Sequence, residues 1–325
     1  MKCLPILLAG GFGNRLYPLS CEQQPKQFIK IIKNNKSIFQ KNIEIIRQIL
    51  PDEDIIIVCN LLHINLIKKQ LKEINEKKYT LLLEQASRNT FASILLVLKF
   101  IDEIQNKSRK YHSIFISPSD SYISQRNNAF IKTFQNVIND SLNMNNHIIF
   151  GTKINNVNVN FGYIKTNLNN KKQCENKQNP IFLKIQKFVE KPTLNMATKM
   201  FNNGNYLWNI GSFIFNIDIL KQEIKKYTKK DYKIYQYMRL IPYKQTKNIL
   251  ISDDSFLKLS KISIDKAIVE KSKNFVCYKT NFEWYDIGSF DIISRLINKN
   301  KITLSHKSYF EANLAKNLLI NKSIL

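Results

Sequence analysis

The sequence predicts an α/β fold, a mostly parallel, doubly wound sheet of Rossmann-like form. Short apolar runs of strand length alternate with helix-period segments through the first 150 residues. A glycine cluster follows directly on the first of those runs, and beyond Gly151 the alternation gives way to a mixed, strand-rich pattern.

Leu4 to Leu8 is the first buried-strand candidate, and the glycines Gly10, Gly11 and Gly13 follow it. Ser37 is a plausible N-cap for a helix whose apolar stripe is Phe39, Ile43, Ile46 and Leu50. Ile55 to Cys59 is the next strand candidate, followed by the stripe Ile64, Ile67, Leu71 and Ile74. Tyr79 to Leu83 leads to a third stripe, Ile94, Val97, Leu98 and Ile101, and Ser113 to Ile116 and His147 to Phe150 complete the series. Asn167 to Asn179, rich in Asn, Lys and Gln, reads as an exposed loop or hairpin tip, and Asp291 to Leu296 as a last helix. The expected organisation is one domain over 1–292, with halves 1–150 and 151–292, and a short tail over 293–325.

The chain has 325 residues, and 44% hydrophobic content is ordinary for a globular protein with a sizeable core. Fifty Lys plus Arg against 25 Asp plus Glu give a formal charge of +25. The basic residues are spread out in Asn- and Ile-rich runs such as Ile31-Ile32-Lys33-Asn34-Asn35-Lys36, a pattern of compositional drift, so no nucleic-acid partner is predicted. What remains is a general attraction for phosphorylated ligands. Five widely spaced cysteines without a CxxC pair suit a reducing cytoplasm. No apolar run has membrane-span length, and no leader-like segment opens the chain.

Glycines directly after a strand let backbone N–H groups approach a polyphosphate without Cβ interference, and Arg15 and Lys26 supply the cationic charge such a ligand demands. Neither a P-loop nor a dinucleotide fingerprint fits: the first needs Gly-Lys-Ser/Thr, the second a glycine where Leu16 stands. A tight turn is the plainer alternative. Asp120, in Ser117-Pro118-Ser119-Asp120 after a strand, reads equally as a metal ligand at the carboxyl end of the sheet or as a turn or N-cap aspartate.

The loop Gly10-Gly11-Phe12-Gly13-Asn14-Arg15-Leu16 with Pro25-Lys26 resembles the opening signature of the sugar-1-phosphate nucleotidylyltransferases. Pro18-Leu19-Ser20 and Pro25-Lys26-Gln27-Phe28 are closer to the mannose-1-phosphate guanylyltransferase branch than to the thymidylyl or uridylyl branches. Glu84-Gln85-Ala86-Ser87-Arg88-Asn89-Thr90, Phe161-Gly162-Tyr163-Ile164, Phe188-Val189-Glu190-Lys191-Pro192, Tyr206-Leu207-Trp208-Asn209-Ile210-Gly211 and Trp284-Tyr285-Asp286-Ile287-Gly288-Ser289 are similar to further segments of that branch, in its order. Ser263-Ile264-Asp265 is similar to another, with Asp265 equally readable as an ordinary helix charge.

The resemblance implies a set of roles. Leu8, Ala9, Gly10, Gly11 and Gly13 would hold the nucleotide, with Glu84, Arg88, Asn89 and Thr90 beside its base. Asp120 and Asp286 would bind Mg²⁺, which usually takes one or two protein carboxylates and fills its shell with phosphate oxygens and water. Gly162, Glu190 and Asn209 would receive the sugar phosphate, and Arg15, Lys26 and Lys191 would act in catalysis. The implied reaction is guanylyl transfer from GTP to mannose 1-phosphate. GTP and mannose 1-phosphate are then the expected partners, without nucleic acid or membrane and compatibly with a homo-oligomer. The alternatives are thymidylyl or uridylyl transfer to another hexose 1-phosphate, and a non-catalytic regulatory protein on the same fold. A short form without the branch's additional phosphomannose isomerase domain is expected. Gln85, Ser87, Ser121, Asn160, Ile210 and Phe290 depart from the branch's residues, which bears on substrate preference and efficiency more than on reaction type.

Overall fold

In the computed structural model the described residues are 2–11, 16–32, 34–105, 111–123, 128–166 and 182–302, side chains 104, 105, 128 and 129 excepted. Gly13, Arg15, the expected loop Asn167 to Asn179 and most of the tail lie outside them. The first half runs β1 (Cys3–Leu8), β2 (Lys30–Ile32), β3 (Lys36–Ser37), α1 (Ile38–Ile49), β4 (Ile55–Asn60), α2 (Ile64–Glu73), β5 (Tyr79–Glu84), α3 (Asn89–Gln105), β6 (Ser113–Pro118), β7 (Ser121–Ile123), α4 (Asn128–Ser141) and β8 (His147–Lys153). Each strand expected from an apolar run falls within one of these strands. Ser37 caps α1 in a capping box, accepting from Gln40 N while the Gln40 side chain accepts from Ser37 N.

Beyond it lie β9 (Gly162–Thr166), β10 (Phe182–Glu190), α5 (Leu194–Asn203), β11 (Tyr206–Asn216), α6 (Ile217–Tyr227), α7 (Lys229–Tyr237), β12 (Leu240–Tyr243), β13 (Thr246–Ser252), β14 (Phe275–Lys279), β15 (Trp284–Asp286) and α8 (Phe290–Asn298). The main sheet has the order β12-β13-β5-β4-β1-β6-β11-β8-β14-β10-β9. It is mixed, which corrects the expectation of a mostly parallel sheet. The block β13-β5-β4-β1-β6 is parallel, as is the pair β8–β14. β11 enters between β6 and β8 antiparallel to both, and β10 is antiparallel to β9 and β14. A central strand buried on both faces is an unbroken apolar run whichever way it points, so the pattern that located the strands carried no direction.

Alternation along β1 sets up the two cores. Leu4 and Ile6 face α3, while Cys3 and Leu7 face the side of α1, α2 and α4. From Phe91 to Leu98 α3 is buried all round rather than striped: Phe91, Ala92, Leu95 and Leu96 are as fully buried as Ile94, Val97 and Leu98, and charged residues come only with Lys99, Asp102 and Glu103. No helix among the described residues is long and apolar enough to cross a membrane.

Two small sheets complete the frame around the carboxyl edge. β7 pairs antiparallel with β15, setting Asp286 opposite Ser121, the residue after Asp120. β2 pairs with β3, and Ile32 bridges Ile302, so the segment after α8 closes back on the first half. Ile293 and Leu296 of α8 are buried with Leu16, Leu19, Ile29 and Ile31 in a small third core.

Candidate active site

The carboxyl ends of β1, β5 and β6 open on a cleft of about 670 Å³, whose far wall comes from β9, β10 and β11. Leu8, Gly10 and Gly11 line it, while Ala9 is buried behind them, its N–H continuing the sheet to Val58 O at 2.7 Å. Gln27 holds the loop from beneath, donating from Nε2 to Gly11 O at 2.8 Å and Ala9 O at 3.4 Å. A single amide has no periodic signature, so this role is not legible in the sequence; the run Pro25-Lys26-Gln27-Phe28 is the signal that marks the position.

Glu84, at the end of β5, is 3% exposed and accepts a hydrogen bond from Ser93 Oγ. Burial pushes its carboxyl up to about 7. A Cβ on Gly10 would stand 2.2 Å from Glu84 Oε2, so glycine is needed there to seat a carboxyl that has little room to yield. Gly10→Ala is therefore expected to destabilise the fold by about 1–3 kcal/mol, the scale of overpacking a filled site. Thermal unfolding of the variant checks this, and an unchanged melting temperature would mean that the Glu84 carboxyl can move aside.

α3 starts at Asn89, and Asn89 and Thr90 at its N-terminus line the cleft, while the Phe91 N–H is taken by Ile262 O. Asn89 has a left-handed backbone, φ 66°, with its side chain accepting from Thr90 N. Thr90 Oγ1 accepts from Ile264 N at 2.9 Å and so ties this corner to the segment that carries Asp265. Arg88 is not a lining residue: its guanidinium donates to Leu259 O at 3.4 Å, which makes it a brace of the loop. Gln85, where the resemblance has proline, donates to Ser252 O and fixes the loop to β13.

Asp120 and Asp286, far apart in sequence, meet through the β7–β15 pairing. Lys26 Nζ lies 3.0 Å from Asp120 Oδ2 and 3.0 Å from Asp286 Oδ1, with its side chain only 4% exposed. Both carboxylates line the cleft, and the Lys26 ammonium stands between them. Their attraction raises the Lys26 ammonium above its usual range against the opposing effect of burial. Asn42 Nδ2 donates to Ser121 O and Pro118 O, fixing the turn that carries Asp120.

On the far wall Gly162 pairs with Glu190 across β9 and β10. A Cβ on Gly162 would stand 2.7 Å from both Glu190 Oε2 and Phe188 Cζ, so this glycine makes room for Glu190, and it lines the cleft. Lys191, with φ 48°, turns its ammonium to Glu190 Oε1 at 3.3 Å. Asn209 donates from Nδ2 to Asp265 Oδ1 at 3.0 Å and accepts from Gly211 N, whose φ of 76° suits glycine. Burial and the nearby Glu190 carboxylate raise Asp265, and burial raises Glu190. Asp265 thus stands in the site as the orienting partner of Asn209. Phe161 packs at 5.1 Å against both Trp208 and Trp284, joining the far wall to the strand of Asp286.

Similar proteins share this arrangement of chain. The mannose-1-phosphate guanylyltransferase of Escherichia coli is 28% identical over 303 residues, 91% of this chain and 62% of that protein. The chain thus spans less than two thirds of the length of the curated relatives it matches first. The crystal structure of mannose-1-phosphate geranyltransferase from Thermus thermophilus superposes with a TM-score of 0.74 at 20% identity, covering 91% of this chain and 79% of that one. That of mannose-6-phosphate isomerase from Helicobacter pylori gives 0.68 at 25% identity, over 88% of this chain and 100% of the other. The model of the nucleotidyl transferase family matches residues 4–301, and the chain belongs to that family.

Proposed function

We propose that the protein transfers a guanylyl group from GTP to mannose 1-phosphate, giving GDP-mannose and pyrophosphate. The observation that carries the reading is the meeting of Asp120 and Asp286 over Lys26, between the glycine loop and the wall of Glu190 and Asn209. A phosphate oxygen of the sugar phosphate attacks the α-phosphorus, and the bond to the bridging oxygen of pyrophosphate breaks. That nucleophile is already anionic near neutral pH, its second pKa being about 6, so no side chain need remove a proton. Alignment and charge neutralisation are what the protein supplies.

Two adjacent carboxylates opening on a cleft suit a hard divalent ion such as Mg²⁺, and Asp120 and Asp286 would hold it. When bound, the ion offsets negative charge on the reacting phosphate. Gly10 and Gly11 would offer backbone N–H groups to the triphosphate, joined by Gly13 and Arg15. Glu84 and the start of α3 would hold the base. Glu190 and Asn209 would accept and donate to sugar hydroxyls, with Lys191 balancing the sugar phosphate. Residues 1–150 would thus serve the nucleotide and 151–292 the sugar phosphate, in a cytoplasmic enzyme.

A panel of four nucleoside triphosphates against mannose 1-phosphate and glucose 1-phosphate, read as pyrophosphate release, tests this. Release with GTP and mannose 1-phosphate about tenfold or more above every other pair is expected, a difference of ~1.4 kcal/mol. Release only with another pair, or none, overturns it. Isomerisation of mannose 6-phosphate is the second reading, favoured by the likeness to the Helicobacter pylori structure. Conversion of mannose 6-phosphate without nucleotide would establish it.

A further inference from the structure

We infer that Lys26 is a placeholder cation, whose ammonium holds Asp120 and Asp286 together in the free protein and must leave the space between them for a divalent ion to bind there. The inference rests on the metal-site part of the proposed function. Two carboxylates brought this close repel unless a cation stands between them. Lys26 Nζ is 3.0 Å from one oxygen of each and almost wholly out of solvent.

An ammonium and a divalent ion cannot share that position, because their repulsion is strong where water is excluded. The backbone under Lys26 has little freedom to adjust: Phe28 is fully buried and Gln27 is hydrogen-bonded to the glycine loop. Movement therefore falls to the lysine side chain, a compact charge on a flexible stem. The cleft above it is where a triphosphate would supply a new anionic partner. A triphosphate that receives the displaced ammonium makes ion binding easier, and by linkage the ion strengthens triphosphate binding by the same factor. The free protein should then bind the ion weakly and the nucleotide-loaded protein tightly.

Calorimetric titration of the full chain with Mg²⁺ and with Mn²⁺, without nucleotide, tests this. Lys26→Met should bind the ion roughly tenfold or more tightly than the wild type, since a competing charge is gone. A lysine that only supports the fold would give the opposite result. Lys26→Gln, which keeps hydrogen-bond donors but no charge, should show the same gain and serves if Lys26→Met does not fold. Adding Asp120→Asn to either variant should remove the gain, locating the ion at the carboxylates. In the wild type a non-hydrolysable GTP analogue should tighten Mn²⁺ binding by about tenfold more than in the variants, where only direct coordination of the ion by the triphosphate remains. Ion affinity unchanged or weakened in both variants overturns the placeholder role. If that occurs while guanylyl transfer is observed, the proposed reaction stands alone; tighter ion binding without guanylyl transfer leaves the placeholder and removes the reaction.

Discussion

Asp120→Asn and Asp286→Asn are each expected to lower turnover by about 10³-fold or more, the scale of several kcal/mol of charge stabilisation from a bound ion. The double variant should be little worse than either single one, because residues that hold one ion act as a unit. Asparagine keeps the size and one oxygen ligand while removing the charge, so the turn held by Asn42 and the β7–β15 pairing should persist. Raised Mg²⁺ or Mn²⁺ should partly rescue the single variants, because affinity is lost while the geometry remains. Rate measurements over a metal titration, with melting temperatures alongside, check this. Independent, multiplicative losses without rescue would mean that the two aspartates do not share an ion.

The parts of this site that were legible in the sequence are those at the ends of apolar strands. Leu8, Glu84 and Pro118 end β1, β5 and β6, and a buried run bounded by Gly, Pro or a charge marks both the strand and the place where the chain leaves the sheet. The residues that join those ends were less visible. β7 and β15 are three residues each, too short for a periodic pattern, yet their pairing brings Asp286 beside Asp120. β11 is buried along nearly its whole length, which hid its direction and with it the way Asn209 reaches the same cleft as Gly10. Arg88 matched a motif by type, and its guanidinium donates to Leu259 O, a partner that no motif names. Asp265 looked like a solvated helix charge because its partner, Asn209, is on another element.

Replacing Glu190 should separate sugar-phosphate recognition from nucleotide recognition. Its carboxyl is held against Gly162 by the β9–β10 pairing, faced by Lys191, and its own backbone N–H donates to Glu270 Oε1. A hydrogen bond from a sugar hydroxyl to such a charged, oriented group contributes about 1.5–3 kcal/mol. Glu190→Ala is therefore expected to lower kcat/KM for the sugar phosphate by roughly 10- to 100-fold. The nucleotide KM should stay within about twofold, because Glu84 and the start of α3, the proposed nucleotide contacts, lie on the opposite wall. Glu190→Gln keeps the shape and one acceptor and should lose less. Desolvation favours a neutral side chain at this position, so a glutamine that bound the sugar phosphate as well as the wild type would mean that shape and hydrogen bonding suffice. Equal losses for both substrates in Glu190→Ala would instead place Glu190 in the packing of the wall, as a support for Gly162 and Phe188, and would move sugar recognition to Asn209 and Asp265.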